Sequence, residues 1–336
     1  MQRESVSSLR CPKSQLALEL EDAVEEHGGE IKSGTLVCRS CNTRYPIRNF
    51  IPRFVPDDGY AESFGKQWNR YRLVQLDSAN NFALTEDRFY RGTEWTREEL
   101  AGQRVLEVGS GAGRFTQILL QANAKVFSGD YSSAVDANWK SNGPHPNLTL
   151  FQGDIYHLPL PTAYFDKVFC YGVLQHTPDV KKAFMSLVPF LKPGGKIAID
   201  VYSKVTWPSR WSAKYVWRPL TTRLHHETLF DIVEWYVPRW LRGGEWLRGH
   251  VPRRFIKYID GVVPCNDYRG ADWARSMTPE QLEAWAVLDT FDALSPKFDF
   301  PQDAETVRSW FEEAQLVDIA VGRAAHGNLK GNAVAR

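Results

Sequence analysis

The stretch Arg104-Val-Leu-Glu-Val-Gly-Ser-Gly-Ala-Gly-Arg-Phe115, followed by Lys125-Val-Phe-Ser-Gly-Asp130, constrains the fold more than any other part of the chain. Val105, Leu106 and Val108 form a short apolar strand. Gly109, Gly111 and Gly113 then break it into a tight turn that opens a helix through Phe115, Ile118 and Leu119. Glycine permits positive φ and lets a ligand approach the backbone. The turn offers free amide N–H groups at a helix N-terminus, and Asp130 ends the next strand where an acceptor for ribose hydroxyls belongs. The arrangement is a cradle for a nucleoside cofactor.

The spacing narrows the choice of cofactor. A dinucleotide fingerprint carries its third glycine where Arg114 stands, and a pyrophosphate lying on the helix would clash with that side chain. Here the pattern is Gly-x-Gly-x-Gly preceded by Glu107, and an acidic group suits a cationic amino-acid moiety better than a diphosphate. Glu107-Val-Gly-Ser-Gly-Ala-Gly113 resembles the first motif of the class I S-adenosylmethionine (SAM)-dependent methyltransferases. Gly153-Asp154, Phe165-Asp166, Leu174-Gln-His176 and Leu191-Lys-Pro-Gly-Gly195 resemble that family's later motifs, in the right order. A nicotinamide-dependent dehydrogenase is the competing reading.

The resemblance implies an α/β fold of the Rossmann-like class I type. Its mostly parallel seven-stranded sheet would end in an antiparallel edge hairpin, supplied by Val317-Asp-Ile-Ala-Val321 and Asn328 to Val334. It implies SAM contacts at Glu107, Gly109, Ser110, Gly111 and Gly113 of the turn. Further contacts are implied at Asp130, Tyr131, Asp154, Ile155, Tyr171 and Gln175 at the ends of the following strands.

Ahead of this core, Leu9-Arg-Cys-Pro-Lys-Ser14, Leu36-Val-Cys-Arg-Ser-Cys41 and Arg44-Tyr-Pro-Ile-Arg-Asn-Phe-Ile-Pro52 resemble the small zinc-ribbon-like domain of the tRNA methyltransferase activator type. Two Cys-x-x-Cys knuckles would place four thiolates around zinc, but Ser14 replaces a cysteine of the first. Two readings stand: a three-thiolate site of Cys11, Cys38 and Cys41 completed by His27 or water, and a ribbon held by packing without metal. The second is preferred because structural zinc sites usually close with four ligands. Cys170 in a strand and Cys265 in a loop read as a small core residue and a free thiol.

The expected organisation is a ribbon-like domain over 1–58, a helical linker over 59–98, a core of 99–203 with 273–336, and a helical insertion over 204–272. In the linker, Phe64, Trp68 and Tyr71 fall at helical spacing, so a helix either covers the cofactor or packs on the sheet edge. The insertion after the fifth strand holds Trp207, Trp211, Trp217, Trp235, Trp240 and Trp246, half of the chain's 12 tryptophans. It also holds Arg210, Arg239, Arg253 and Arg254 among other arginines. It leaves the sheet on the ligand-bearing side, which suits a substrate lid. Amphipathic packing, a saccharide site of stacking rings and Arg forks, and docking on an anionic bilayer all fit that composition.

The formal net charge of +1 argues against nucleic acid as partner. The odd, unevenly spaced five cysteines point to a reducing cytoplasm, with peripheral contact at the inner face of the membrane if the insertion docks there. The polar start lacks a signal-peptide core. Because the sulfonium carries its own leaving group, the protein's task is positioning, plus a base where the acceptor is a hydroxyl. His176 in Leu174-Gln-His-Thr-Pro-Asp179 and His226 in the insertion are the candidates. The expected reaction is O-methylation of a saccharide, glycolipid or secondary metabolite. A tRNA or rRNA methyltransferase is the second reading and a SAM-binding scaffold the third.

Overall fold

A computed structural model describes residues 1–25, 29–204, 213–250, 261–324 and 327–336, excepting the side chains of residue 25 and of residues 245–249. His27, Trp207, Arg210, Trp211, Arg253 and Arg254 lie outside the described residues, as do the side chains of Trp246 and Arg248.

The larger sheet has seven strands: β5 (Arg104–Val108), β6 (Lys125–Asp130), β7 (Leu148–Gln152), β8 (Phe165–Cys170), β9 (Leu191–Val201), β10 (Val317–Arg323) and β11 (Leu329–Val334). Their order is β10-β11-β9-β8-β5-β6-β7. Strands β5 to β9 pair in parallel, while β11 runs antiparallel to β9 and β10. This is the Rossmann-like sheet with the expected edge hairpin. Strand β5 is apolar at three of five positions because both faces of a parallel sheet are covered by helices, and Val105 and Leu106 are fully buried. After β5 the order reverses, with β6 and β7 on one side and β8 and β9 on the other. A crevice therefore opens at the carboxyl ends of β5 and β8.

The N-terminal segment forms an antiparallel sheet of β1 (Glu19–Glu25), β2 (Ile31–Val37), β3 (Arg44–Arg48) and β4 (Ile51–Pro52). It is packed on the larger unit: one buried apolar cluster runs from Leu9, Leu36 and Ile47 to Phe151, Leu158 and Leu160. Arg53 makes a parallel bridge to Gln152, and the Phe54 N–H donates to the Gln152 carbonyl at 2.8 Å. The segment thus covers the free edge of β7, which would otherwise expose unpaired backbone groups.

In the linker, the Glu62–Arg70 helix carries Phe64 and Trp68 over the crevice. The insertion supplies the Ala213–Thr221 and His226–His250 helices. Leu229, Val233, Val237 and Leu241 recur every four residues and pack on Ala286, Val287, Phe291 and Leu294 of the Pro279–Leu294 helix. That helix starts on a capping box, in which Gln281 N–H donates to Thr278 Oγ1 and Gln281 Oε1 accepts from Thr278 N–H.

Among the described residues, the tryptophans of the insertion do not line the crevice. Trp235 is 62% exposed with the Arg239 guanidinium stacked 4.8 Å from its ring centroid, and Trp217 donates at the surface to the Val262 carbonyl. On the His226–His250 helix, position 235 lies between the inward positions 233 and 237, so its side chain leaves on the other face. The insertion reaches the crevice instead through Lys214, Asn266 and Tyr268.

Candidate functional site

The strand-to-helix turn after β5 is shaped by backbone that other residues resist. Gly109 has φ of 81°, and a Cβ there would stand 2.0 Å from Val173 Cγ2. Gly111 has φ of 53° and is roofed by the Trp68 indole, 3.2 Å from where a Cβ would lie. Gly113 precedes the Arg114–Gln121 helix, and its carbonyl accepts from Asn142 Nδ2 at 2.9 Å. The Gly111 N–H donates to Asp130 Oδ2 at 2.9 Å, while Asp130 Oδ1 accepts from Ser132 N–H and Ser132 Oγ at 2.8 Å. Burial raises the Asp130 carboxyl above its ordinary range, against the pull of these donors.

Asp130, Tyr131, Ile155, Tyr171, Ser110, Gly109 and Gly111 all border one cavity of about 950 Å³. Small-molecule sites span roughly 300–1,000 Å³, so this one has room for a nucleoside cofactor and a second molecule. Tyr60, Phe64 and Trp68 close one side, and Tyr60 packs on Tyr131 at 4.7 Å between centroids. The linker helix thus lies over the cavity as a cover helix.

Four expected contacts stand off the wall. Glu107 is buried beneath the turn, where its Oε2 accepts from Thr116 Oγ1 and Ser128 Oγ and its Oε1 has no partner. Burial lifts this carboxyl to about 7. Asp154 turns away to cap the Ile155–His157 turn, accepting from the Tyr156 N–H at 3.0 Å. Gln175 is wholly buried with both side-chain polar atoms unpartnered, and it does not border the cavity. Gly113 also lies behind the wall, holding the helix start.

His176 reaches the cavity and His226 does not. His176 Nδ1 lies 2.9 Å from the Phe298 carbonyl, which can only accept, so the ring donates there and Nε2 is its basic nitrogen. Phe64 and Tyr202 flank the imidazole at 5.1 and 5.2 Å between centroids. Burial lowers its pKa, keeping it neutral. His226, at the start of the helix that packs on Phe291 and Leu294, stands by Glu62 and Lys66 and does not border the cavity.

Other wall residues carried no motif: Gln75, Arg88, Trp273, Trp285, Asp289 and Arg323 come from distant segments. Arg114 entered the sequence reading only as an obstacle to a dinucleotide, yet it borders the cavity.

In the ribbon, the Sγ atoms of Cys11, Cys38 and Cys41 lie within 4.8 Å of one another. The Cys11 and Cys41 sulfurs are 3.6 Å apart, against the roughly 3.8 Å that two thiolates on one tetrahedral zinc would keep. Ser14 Oγ stands 3.2 Å from Cys38 Sγ. Burial pushes the Cys11 thiol up, but hydrogen bonds from Tyr45 and Ser14 outweigh it and hold the thiol at about 6. The donor set suits three corners of a zinc site, and a serine hydroxyl, a poor ligand, stands at the fourth.

A family model described as a methyltransferase domain matches residues 106–199, and one described as Trm112p-like protein matches residues 8–49. A demethylmenaquinone methyltransferase of Streptomyces avermitilis is 30% identical over 153 residues, which is 43% of this chain and 65% of that protein. A ubiquinone biosynthesis O-methyltransferase of Xanthomonas oryzae is 28% identical over 157 residues, 44% of this chain and 64% of that protein. The chain spans less than two thirds of the length of the curated relatives it matches. A SAM-dependent methyltransferase from Aquifex aeolicus overlays with a TM-score of 0.43 at 15% identity, over 81% of this chain and 97% of that one.

Sheet order, glycine turn and family match together define a class I SAM-dependent methyltransferase domain. The chain as a whole joins that domain to an N-terminal Trm112p-like segment. The cradle fits SAM on the structure's own terms, since Gly109 and Gly111 keep side chains out of it and the Asp130 carboxylate borders it.

Proposed function

We propose that this chain transfers the methyl group of SAM to a hydroxyl of a small ring-bearing acceptor. The lining carries this reading: the cavity beyond the glycine turn is walled by aromatic side chains from the linker and the segments after β9, and His176 borders it with Nε2 as its basic nitrogen. Bound SAM supplies an activated methyl on a sulfonium. The acceptor oxygen forms the bond to the methyl carbon as the carbon–sulfur bond breaks, its electron pair stays on sulfur, and the hydroxyl proton passes to His176 Nε2. Phe64 and Tyr202 hold the imidazole edgewise and Phe298 fixes its tautomer, so the ring needs no reorientation.

Several features support a ring acceptor. Tyr268, Trp273 and Trp285 form a continuous wall suited to stacking on a planar ring or the apolar face of a sugar, and two relatives are named for quinone biosynthesis. A saccharide, glycolipid or secondary metabolite remains within this class. Transfer to RNA is the second reading, favoured by the Trm112p-like segment alone. In the test, tritiated SAM is incubated with the chain and either a metabolite extract or total RNA. Label moving into small, extractable molecules and lost in His176→Ala is expected. Label confined to RNA would refute the proposal.

A further inference from the structure

The Arg114 guanidinium stands deep in the wall of the cavity with one neutral partner, the Gln75 side-chain oxygen, and lies 4.7 Å from the Phe115 ring centroid. Among the described residues no carboxylate lies within ion-pairing distance of it. The carboxylates that feel its charge are committed elsewhere. Asp289 accepts from Tyr268 Oη at 2.6 Å, Trp285 Nε1 at 2.9 Å and Gln75 Nε2 at 3.2 Å. Asp200 takes Arg88 Nη2 at 2.6 Å and the Gly172 N–H, and Asp77 caps Thr85 and Glu86 through their N–H groups. Burial, with repulsion from Arg88, pulls the Arg114 pKa down to about 10.

Arg114 is half-buried, and a partly desolvated cation without a counter-ion carries a cost that a ligand supplying the missing charge would relieve. Gln75 holds Arg114 with its oxygen and Asp289 with its amide nitrogen, and Asp289 in turn holds Tyr268 and Trp285. The guanidinium is therefore tied rigidly to the aromatic wall. A fork of planar donors beside stacked rings matches a planar carboxylate on an aromatic ring.

We propose that the acceptor is an aromatic carboxylate, its carboxylate docked on Arg114 and its ring against Tyr268, Trp273 and Trp285. This rests on the methyltransferase reading and narrows its acceptor class.

The test titrates benzoate and its uncharged isostere benzamide into the full chain by calorimetry, with and without saturating S-adenosylhomocysteine. Benzoate should bind the parent roughly tenfold or more tightly than benzamide, the margin of a charge-assisted fork over a neutral contact. Arg114→Gln should erase the difference while leaving S-adenosylhomocysteine affinity within about twofold, the size of effect expected of a group that does not touch it. Gln75→Glu, which sets a permanent carboxylate against Arg114 without removing the cation, should do the same. Equal binding of benzoate and benzamide, or no benzoate binding at all, overturns the proposal. A persisting benzoate preference in Arg114→Gln with weakened S-adenosylhomocysteine overturns it too, and assigns Arg114 to the cofactor's carboxylate. Failure of the parent to bind S-adenosylhomocysteine would sink the methyltransferase reading instead, and the titration without it separates the two.

Discussion

Gly109→Ala tests whether the close approach of the turn to the loop after β8 shapes the site. The substitution carries two separable costs. At φ of 81° an alanine sits in the left-handed region, which costs roughly 1–2 kcal/mol for a residue with a Cβ. The new Cβ also lies 2.0 Å from Val173 Cγ2 and 3.0 Å from its Cβ and Cγ1, an overlap that must be relieved by shifting β5 or the Val173 loop, at about 1–3 kcal/mol. The single variant should therefore lose about 2–5 kcal/mol. Val173→Ala removes the 2.0 Å overlap and leaves the 3.0 Å approach to its Cβ and the backbone strain, so adding Gly109→Ala to it should cost little more than the strain's roughly 1–2 kcal/mol. Urea unfolding of the four proteins of this cycle, compared at a common m-value, gives the coupling directly. A coupling energy below about 0.5 kcal/mol would mean that Val173 yields freely, and the steric account of Gly109 would be wrong.

Asp130→Ala should weaken S-adenosylhomocysteine binding by about 1.5–3 kcal/mol in calorimetry and also destabilise the fold, because the same carboxylate holds the Gly111 and Ser132 N–H groups. For methyl transfer, His176 must be neutral. Because burial lowers its pKa, the rate should rise with pH through an inflection below the ordinary histidine value near 6.5 and then stay flat, a limb that disappears in His176→Gln. Elemental analysis should find well below one zinc per chain in the parent and stoichiometric zinc in Ser14→Cys, since that change supplies the fourth thiolate. Asp58→Ala should weaken S-adenosylhomocysteine binding in calorimetry by freeing Ser133 in the loop that carries Tyr131 to the cavity, with no change in zinc content because Asp58 is not among the clustered thiols.

Strands β5 to β8 were legible because each is short, largely apolar and bounded by turn residues, the sheet as a whole came with the family resemblance, and the cofactor half of the cavity was legible because it is local. Gly109 to Gly113 and Asp130 carry it within some twenty residues of one another. The acceptor half is different: Gln75, Arg114, Tyr268 and Asp289 meet only through the packing of the linker and Pro279–Leu294 helices against the sheet. No periodicity marks such a meeting. The density of Trp and Arg in the insertion pointed to its outer face because composition does not say which side of a helix a residue leaves. The four-residue spacing of Leu229, Val233, Val237 and Leu241 does say it, and it excludes Trp235 and Arg239.

The ribbon's place in the molecule follows from one loop. Residues 131–133, after β6, carry Tyr131 to the cavity and start the Ala134–Asn142 helix. Asp58, at the end of the N-terminal segment, accepts from the Ser133 N–H at 2.9 Å and Ser133 Oγ at 2.6 Å. Gln152 donates to the Tyr131 carbonyl at 2.9 Å and is itself held by Arg53 Nη1 at 3.1 Å, while Arg53 Nη2 pairs with Asp136 at 2.7 Å. From the cover helix, Asn69 donates to the Ser133 carbonyl at 2.9 Å. The loop's Ser133 N–H, Ser133 carbonyl and Tyr131 carbonyl are satisfied from the ribbon's tail, the cover helix and the β7 edge respectively, and its Ser132 N–H by Asp130 of β6. The N-terminal segment thus reaches the loop beside the cofactor cradle through Arg53 and Asp58, contacts that do not involve its thiols.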